Sequence, residues 1–332
     1  MPFNRPFILL LLVLLLTAAW WRLQPEPGTV QRTQLLMGTT VSIEAAGADT
    51  AVLERAIAAA FAEMARIEKL MSPHQPDSNV SRLSAAEHAE TVAPETAEVI
   101  TLGLEIARRS GGAFDLTLGR LKTLWGIETE TPRVPAPAEL AAALQGIGAG
   151  ALSVSGNLVT KGSPQLAIDL GAIAKGYAVD RAIATLRAHG VSSAAVNAGG
   201  DIGLLGSKQG RPWRIGVQHP RQSSSVLATL EAADRAVVTS GDYERCFERD
   251  GRRYHHLFDP QTGYPAGRCQ SVTVLAPRAV LADALATALF VLGPERGLAL
   301  LRDYPGVDAL IVAADGQLHR TPGLAVVKAG PL

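Results

Sequence analysis

Asp283 and Thr287 stand four residues apart in "VLADALATALF", a run otherwise made of alanine, leucine, valine and phenylalanine. Residues at that spacing share one face of a helix. A carboxylate inside so apolar a helix is costly unless a cation or hydrogen-bond donors meet it. Two chemistries satisfy it. One is a divalent cation: magnesium takes oxygen ligands and keeps one or two carboxylates beside a substrate phosphate. The other is plain structure, with Asp283 paired to an arginine from elsewhere and Thr287 bonded back to its own helix. On this helix alone the structural account carries more weight.

Four further segments hold residues with chemical use. In "DLGAIAKGYAVD", residues 169–180, a strand gives way to a glycine loop and a helix from Gly176. Backbone N–H groups at a helix N-terminus suit a phosphate, and Lys175 adds a point charge. The spacing is neither a Walker A loop nor a dinucleotide GxGxxG, and a tight strand-to-helix turn explains the small residues equally well. In "NAGGDIGLLG", Asn197, Gly199, Gly200 and Asp201 make a turn where a backbone can approach a ligand, or an ordinary hairpin turn. In "YHHLFDPQTGYP", His255 and His256 point to opposite faces of a strand, so one of them at most faces a site, as a proton acceptor near Asp259. In "SGGAFDLTLGRLKTLWG", Ala113, Phe114 and Asp115 offer an aromatic and a carboxylate to a flat ligand, although composition alone assigns Phe114 to the core.

The elements that must position these residues follow from periodicity. Leu36 to Ile43 alternates as a first strand, and Leu53, Ile57, Ala60, Met64 and Ile67 recur at helical spacing. "SPHQPDSNVSRLSA" reads as a loop, Pro94 to Arg109 as a second helix stopped by Gly111 and Gly112, and the Pro-rich stretch before "AELAAALQG" as an excursion. "QLAIDL", "SAAVNA" and "SVTVLAP" read as strands, and "YERCFERDGRRYHHLF" as a hairpin turning at Asp250-Gly251. The last strand feeds the helix of Asp283, which begins near Arg278 and places Asp283 in its second turn. Strands and helices mingle without a strict βαβ rhythm, which predicts an α+β fold or a mixed sheet.

Composition narrows the function classes. Lys plus Arg equals Asp plus Glu at 31 each, which gives no electrostatic reason for a nucleic-acid partner. Cys246 and Cys269 are too few and too isolated for a zinc site, although they could pair in an oxidising compartment. Arg5 and the apolar run from Phe7 to Trp21 predict that residues 1–24 are a cleaved signal peptide or a retained membrane anchor, with residues 25–332 as the functional domain. No cysteine lies near that segment, so a lipoprotein anchor is not expected.

Taken in order, "MGTTVSIE", "MSPHQPDSNVSRLSA", "SGGAFDLTLGRLKTLWG", "AIDLGAIAKGYAVDRA", "VNAGGDIGLLG", "TSGDYERCFERDGRRYHHLFDPQTGYP" and "SVTVLAPRAVLADALATALFVLG" resemble the ApbE family of FAD:protein FMN transferases. The resemblance covers almost all of the chain after residue 33. It implies a T-fold-like α+β architecture holding FAD in a cleft between two lobes, in an exported, membrane-associated protein. It implies magnesium-dependent cleavage of FAD, attachment of FMN by a phosphoester to a Thr or Ser of an acceptor protein, and release of AMP. That acceptor is expected to be a subunit of a membrane redox complex. Carried over position by position, Asp283 and Thr287 become metal ligands with the Ala172 carbonyl. Met37, Ala113, Phe114, Asp115 and Lys175 fall at FAD-contacting positions, and His256, in a His-x-x-Asp-Pro pattern, lies near the reaction centre. Two departures stand out: His74 occupies a position where members commonly carry a flavin-stacking tyrosine, and Ser84 replaces a common asparagine.

Overall fold

A computed structural model describes residues 28–329; the predicted signal or anchor segment lies outside them. The chain opens with a hairpin, β1 (Gly28–Leu36) and β2 (Thr39–Gly47), followed by α1 (Thr50–Met71) and the short α2 (Asn79–Ala85). Then come β3 (Ala89–Thr91), α3 (Pro94–Arg109), α4 (Gly119–Trp125), α5 (Pro137–Ala143), β4 (Leu152–Ser155) and β5 (Leu158–Lys161). Helix α6 (Ala174–Ala188) leads to β6 (Ser193–Ala198), β7 (Asp201–Leu205), β8 (Trp213–His219), β9 (Gln222–Ala232) and β10 (Ala236–Gly241). The hairpin β11 (Cys246–Arg249) and β12 (Arg252–His255) precedes β13 (Cys269–Ala276), α7 (Ala279–Leu292) and α8 (Pro294–Leu300). Strands β14 (Asp308–Ala313), β15 (Leu318–Arg320) and β16 (Val326–Ala329) close the described chain.

Eight strands form the central sheet in the order β1-β2-β6-β7-β10-β13-β14-β15. The α+β class is as expected. The sheet is antiparallel at every pairing, where a mixed one was an alternative, because its neighbours are joined by hairpins or return across the sheet. One face carries α1, α6 and α7. Leu53, Ile57, Ala60, Met64 and Ile67, the predicted stripe of α1, are all buried there. The other face packs against β8, β9 and β16 around Trp213, Leu230 and Leu310. A third, smaller cluster joins α4 and α5 to the β11–β12 region: Trp125 packs against Tyr254, Phe258 and Tyr264 in tilted and edge-on contacts, and its Nε1–H donates to the Gly263 carbonyl at 2.8 Å.

Four local predictions need correction. Leu36 to Ile43 is not one strand. Met37 and Gly38 adopt φ of 54° and 68°, and the chain reverses there into a two-residue hairpin turn. "QLAIDL" has no strand partner. Its backbone bonds out of register, Ile168 N–H to Ser84 Oγ and Asp169 N–H to the Leu116 carbonyl, while Leu166, Ile168 and Leu170 stay buried. The apolar alternation serves a crossing segment. "SPHQPDSNVSRLSA" contains α2, capped by Ser78 Oγ accepting from Ser81 N–H. Helix α6 starts at Ala174, two residues before the predicted Gly176. Cys246 and Cys269 are both free.

Candidate functional site

A cleft of about 1200 Å³ is lined by the β1–β2 turn, the loop after α1, the crossing segment and the start of α6. The loop after α4 and the residues leading into β11 complete its walls. Met37, His74, Lys175 and His256 all line it, although they come from four separate stretches of sequence. Met37 holds a left-handed conformation that non-glycine residues rarely adopt. Its N–H donates to Glu68 Oε1 at 2.9 Å, which pins the turn at the cleft edge. His74 is exposed on the rim.

Lys175 lies in the first turn of α6, and its Nζ is 2.6 Å from Asp201 Oδ2. Asp283 is close behind: its Oδ2 accepts the Gly176 N–H at 3.0 Å. Asp201 and Asp283 are 1% and 4% exposed, so two buried carboxylates share one lysine and the group is one positive charge short. Burial, and then the neighbouring Asp283 charge, push the Asp201 carboxyl above the usual carboxylate range. Burial opposes the Lys175 charge, but Asp201 and Asp283 outweigh it and raise its pKa.

The contact between α6 and α7 depends on Gly176. A Cβ at that position would stand 2.4 Å from the Ala279 carbonyl oxygen and 2.8 Å from Asp283 Cβ. Asp180, one turn further along α6, accepts the Ala279 and Val280 N–H groups at 2.7 and 3.1 Å. Since Arg278 supplies no side-chain cap, α7 takes its N-terminal cap from α6. The motif "AKGYAVD" therefore places the helix of Asp283 as well as its own.

These contacts bear on the two accounts of Asp283. No arginine pairs with it among the described residues; its fixed donor is the Gly176 N–H. Thr101, Thr123 and Thr185 each bond back to the carbonyl four residues earlier, whereas Thr287 makes no such bond. In a regular helix the Gly176 N–H would return to the Ala172 carbonyl. Here it turns to Asp283, and no donor among the described residues reaches the Ala172 oxygen. A carboxylate, a hydroxyl and a carbonyl are hard oxygen donors and fit magnesium. None of the three residues lines the cleft itself; Asp283 stands behind Gly176. No group of three or more His, Cys, Asp or Glu side chains able to hold a metal occurs among the described residues, so an ion here would rely on this mixed oxygen set.

The two histidines divide as the strand alternation predicts. His255 is buried, with Nε2 on the Ala266 carbonyl at 3.0 Å and Nδ1 accepting from Leu257 N–H. His256 faces the cleft, and its Nδ1 lies 3.3 Å from the Arg245 carbonyl. A carbonyl only accepts, so Nδ1 carries the proton and Nε2 is the basic nitrogen. Burial, then the charges of Lys122 and Arg245, lower its pKa well below the ordinary histidine value.

Ala113, Phe114 and Asp115 lie elsewhere. Phe114 is 1% exposed in the main core, and Asp115 Oδ1 accepts from the Thr117 N–H and hydroxyl at 2.8 and 2.6 Å. None of the three lines the cleft. The predicted phosphate role of the α6 N-terminus also changes, because Gly176 N–H is engaged by Asp283. The turn Asn197–Asp201 is a hairpin turn, with Gly200 N–H donating to Asn197 Oδ1; its contribution is Asp201. Lys122, Glu128, Asp169 and Arg245 line the cleft without having been singled out. Arg245 lies inside one of the motifs of the resemblance, whereas Glu128 opens the Pro-rich excursion, whose composition carries no mark of a site.

The ApbE family model matches residues 37–311. The FAD:protein FMN transferase of Treponema pallidum is 36% identical over 314 residues, covering 88% of this chain and 87% of that protein. The one from Vibrio cholerae is 39% identical over 276 residues, covering 80% of this chain and 81% of its own. Among solved structures, the ApbE protein of Thermotoga maritima superimposes with a TM-score of 0.81 at 37% identity, over 89% of this chain and 97% of the other. With most of its length matched by the family model and by these relatives, the chain belongs to the ApbE family.

Proposed function

We propose that this chain is an FAD:protein FMN transferase. It moves FMN from FAD to a Thr or Ser hydroxyl of an acceptor protein through a phosphoester, releases AMP, and requires magnesium. The observation that carries the reading is the wall of the cleft. Lys175, which lines it, pairs with the buried Asp201; behind it the buried Asp283 holds the Gly176 N–H, and the Ala172 carbonyl and the Thr287 hydroxyl are left without the partners a helix normally gives them. Asp283, Thr287 and the Ala172 carbonyl are the residues that would hold magnesium, which when bound neutralises charge on the pyrophosphate. Lys175 contributes a fixed positive charge at the same wall.

Cleavage of a pyrophosphate depends mainly on neutralising charge and holding the reacting groups in line. The acceptor hydroxyl oxygen forms a bond to the FMN-side phosphorus as the bond to the AMP phosphate oxygen breaks. The hydroxyl proton passes to His256 Nε2, which is unprotonated at neutral pH. A phosphate-bearing substrate offsets the Lys122 and Arg245 charges that weaken this base. Met37 and His74 supply the apolar and planar surface at the rim for the flavin. The apolar N-terminal run supports export to the periplasm, which suits an acceptor that is a subunit of a membrane redox complex.

The test is incubation of the purified protein with FAD and magnesium, with and without a flavoprotein acceptor. AMP release that depends on the acceptor, with FMN mass added to its Thr or Ser, is the expected result. AMP without acceptor would make the protein a pyrophosphatase, and bound intact FAD without AMP would make it a carrier.

A further inference from the structure

Arg245 spans the cleft to an exchangeable partner. Its Nη1 lies 2.7 Å from Glu128 Oε1, and the two side chains are 36% and 37% exposed. Glu128 belongs to the loop after α4, and Arg245 to the residues entering β11. The other cations at the cleft are held more firmly. The partner of Lys175, Asp201, is almost wholly buried. The partner of Lys122, Asp169, is 12% exposed and also accepts the Gly171 N–H at 2.7 Å. Of these three cations, only Arg245 is matched to a half-exposed loop carboxylate, where a pair contributes little to stability and dissolves at small cost. A guanidinium also presents the planar fork that grips two phosphate oxygens at once. The Arg245 carbonyl accepts from both the N–H and Nδ1 of His256, so the side chain springs from the residue that orients the base.

We propose that Arg245 is a phosphate-binding, specificity-determining residue that leaves Glu128 for the pyrophosphate of FAD. Glu128 is then a competitor for the same guanidinium. It holds the Arg245 guanidinium in the absence of substrate and yields when a stronger anion arrives. Flavins without a phosphate gain nothing from the exchange, so the pair selects for the phosphorylated substrate. This rests on the reading of the cleft as an FAD site.

The two partners of a structural bridge affect binding in the same direction, whereas a ligand-binding residue and its competitor affect it in opposite directions. Affinities for FAD and riboflavin are measured by titration calorimetry, without acceptor, on the full chain and its variants. Arg245→Gln should weaken FAD binding roughly 10- to 100-fold, as expected for losing hydrogen bonds to a charged group. Glu128→Gln should tighten it about threefold to fivefold by removing the competitor. Arg245→Lys should recover part of the loss, and riboflavin binding should be unchanged throughout. Equal weakening by both substitutions, or an equal loss for riboflavin, overturns the assignment while leaving the FAD site intact. A wild-type protein that binds no FAD instead refutes the reading of the cleft. Should Arg245→Gln not fold, Glu128→Gln decides alone, because failure to tighten FAD binding contradicts the proposal.

Discussion

Gly176→Ala is the smallest change that tests how the site is assembled. The added methyl would lie 2.4 Å from the Ala279 carbonyl oxygen and 2.6 Å from its carbon, both backbone atoms that cannot rotate away. Normal contact requires α6 and α7 to separate by roughly 1 Å, which breaks the 3.0 Å hydrogen bond from Gly176 N–H to Asp283. Overpacking costs about 1–3 kcal/mol, and a buried carboxylate that loses a donor costs about 1–3 kcal/mol more. The better helix propensity of alanine returns up to about 1 kcal/mol. The net is near 3 kcal/mol; with unfolding entropy of about 2.1 cal/mol/K per residue over roughly 300 residues, Tm falls by about 5 °C. On the proposed function, apparent affinity for magnesium in the transfer assay should weaken roughly 10- to 100-fold as the proposed ligand Asp283 loses its support. Differential scanning calorimetry and a magnesium titration of FMN transfer read the two effects. Gly150→Ala, where a Cβ meets nothing within 4 Å, is the control. A Gly176→Ala protein that melts within 1 °C of wild type and keeps its magnesium dependence (about the error of either assay) would refute the reasoning.

Asp283→Asn relieves the repulsion between two buried carboxylates, so without metal the variant should melt no lower than wild type. Magnesium at about 100 times its Kd should stabilise wild type by about 2.7 kcal/mol and leave the variant unmoved; equal stabilisation of both would remove Asp283 from the ligand set. Burial lowers the His255 pKa to about 4. The neutral form is therefore favoured by folding, and its contribution is complete above the ordinary value of about 6.5 and lost as pH falls towards 4. The unfolding free energy from denaturant titrations should fall by about 3 kcal/mol across that window, and His255→Gln should flatten the slope; an unchanged slope would place the sensitivity elsewhere. His74→Tyr offers a larger ring at the cleft rim and should tighten FAD binding about threefold, whereas an unchanged Kd would show that this side chain does not stack on the flavin.

Much of this protein was legible in order along the chain. The stripe of α1, the hairpin turning at Asp250-Gly251 and the opposite facing of His255 and His256 all follow from local periodicity, which the sequence contains in full. The same holds for Asp283 and Thr287 sharing a helix face, and the order of seven motifs carried the family. Tertiary contact decided the rest. "QLAIDL" has strand-like alternation but no strand beside it, because a ladder needs a partner and the segment passes between Ser84 of α2 and Leu116 instead. Whether Asp283 would meet an arginine or a backbone N–H depended on Gly176 admitting α7 at backbone distance, 107 residues away in sequence. The pairing of Lys175 with Asp201, and of Arg245 with Glu128 across 117 residues, has no local signature at all. Helical and strand periods are set by bonds between near neighbours, whereas the charge balance of a buried site is set by whichever groups the whole chain brings together.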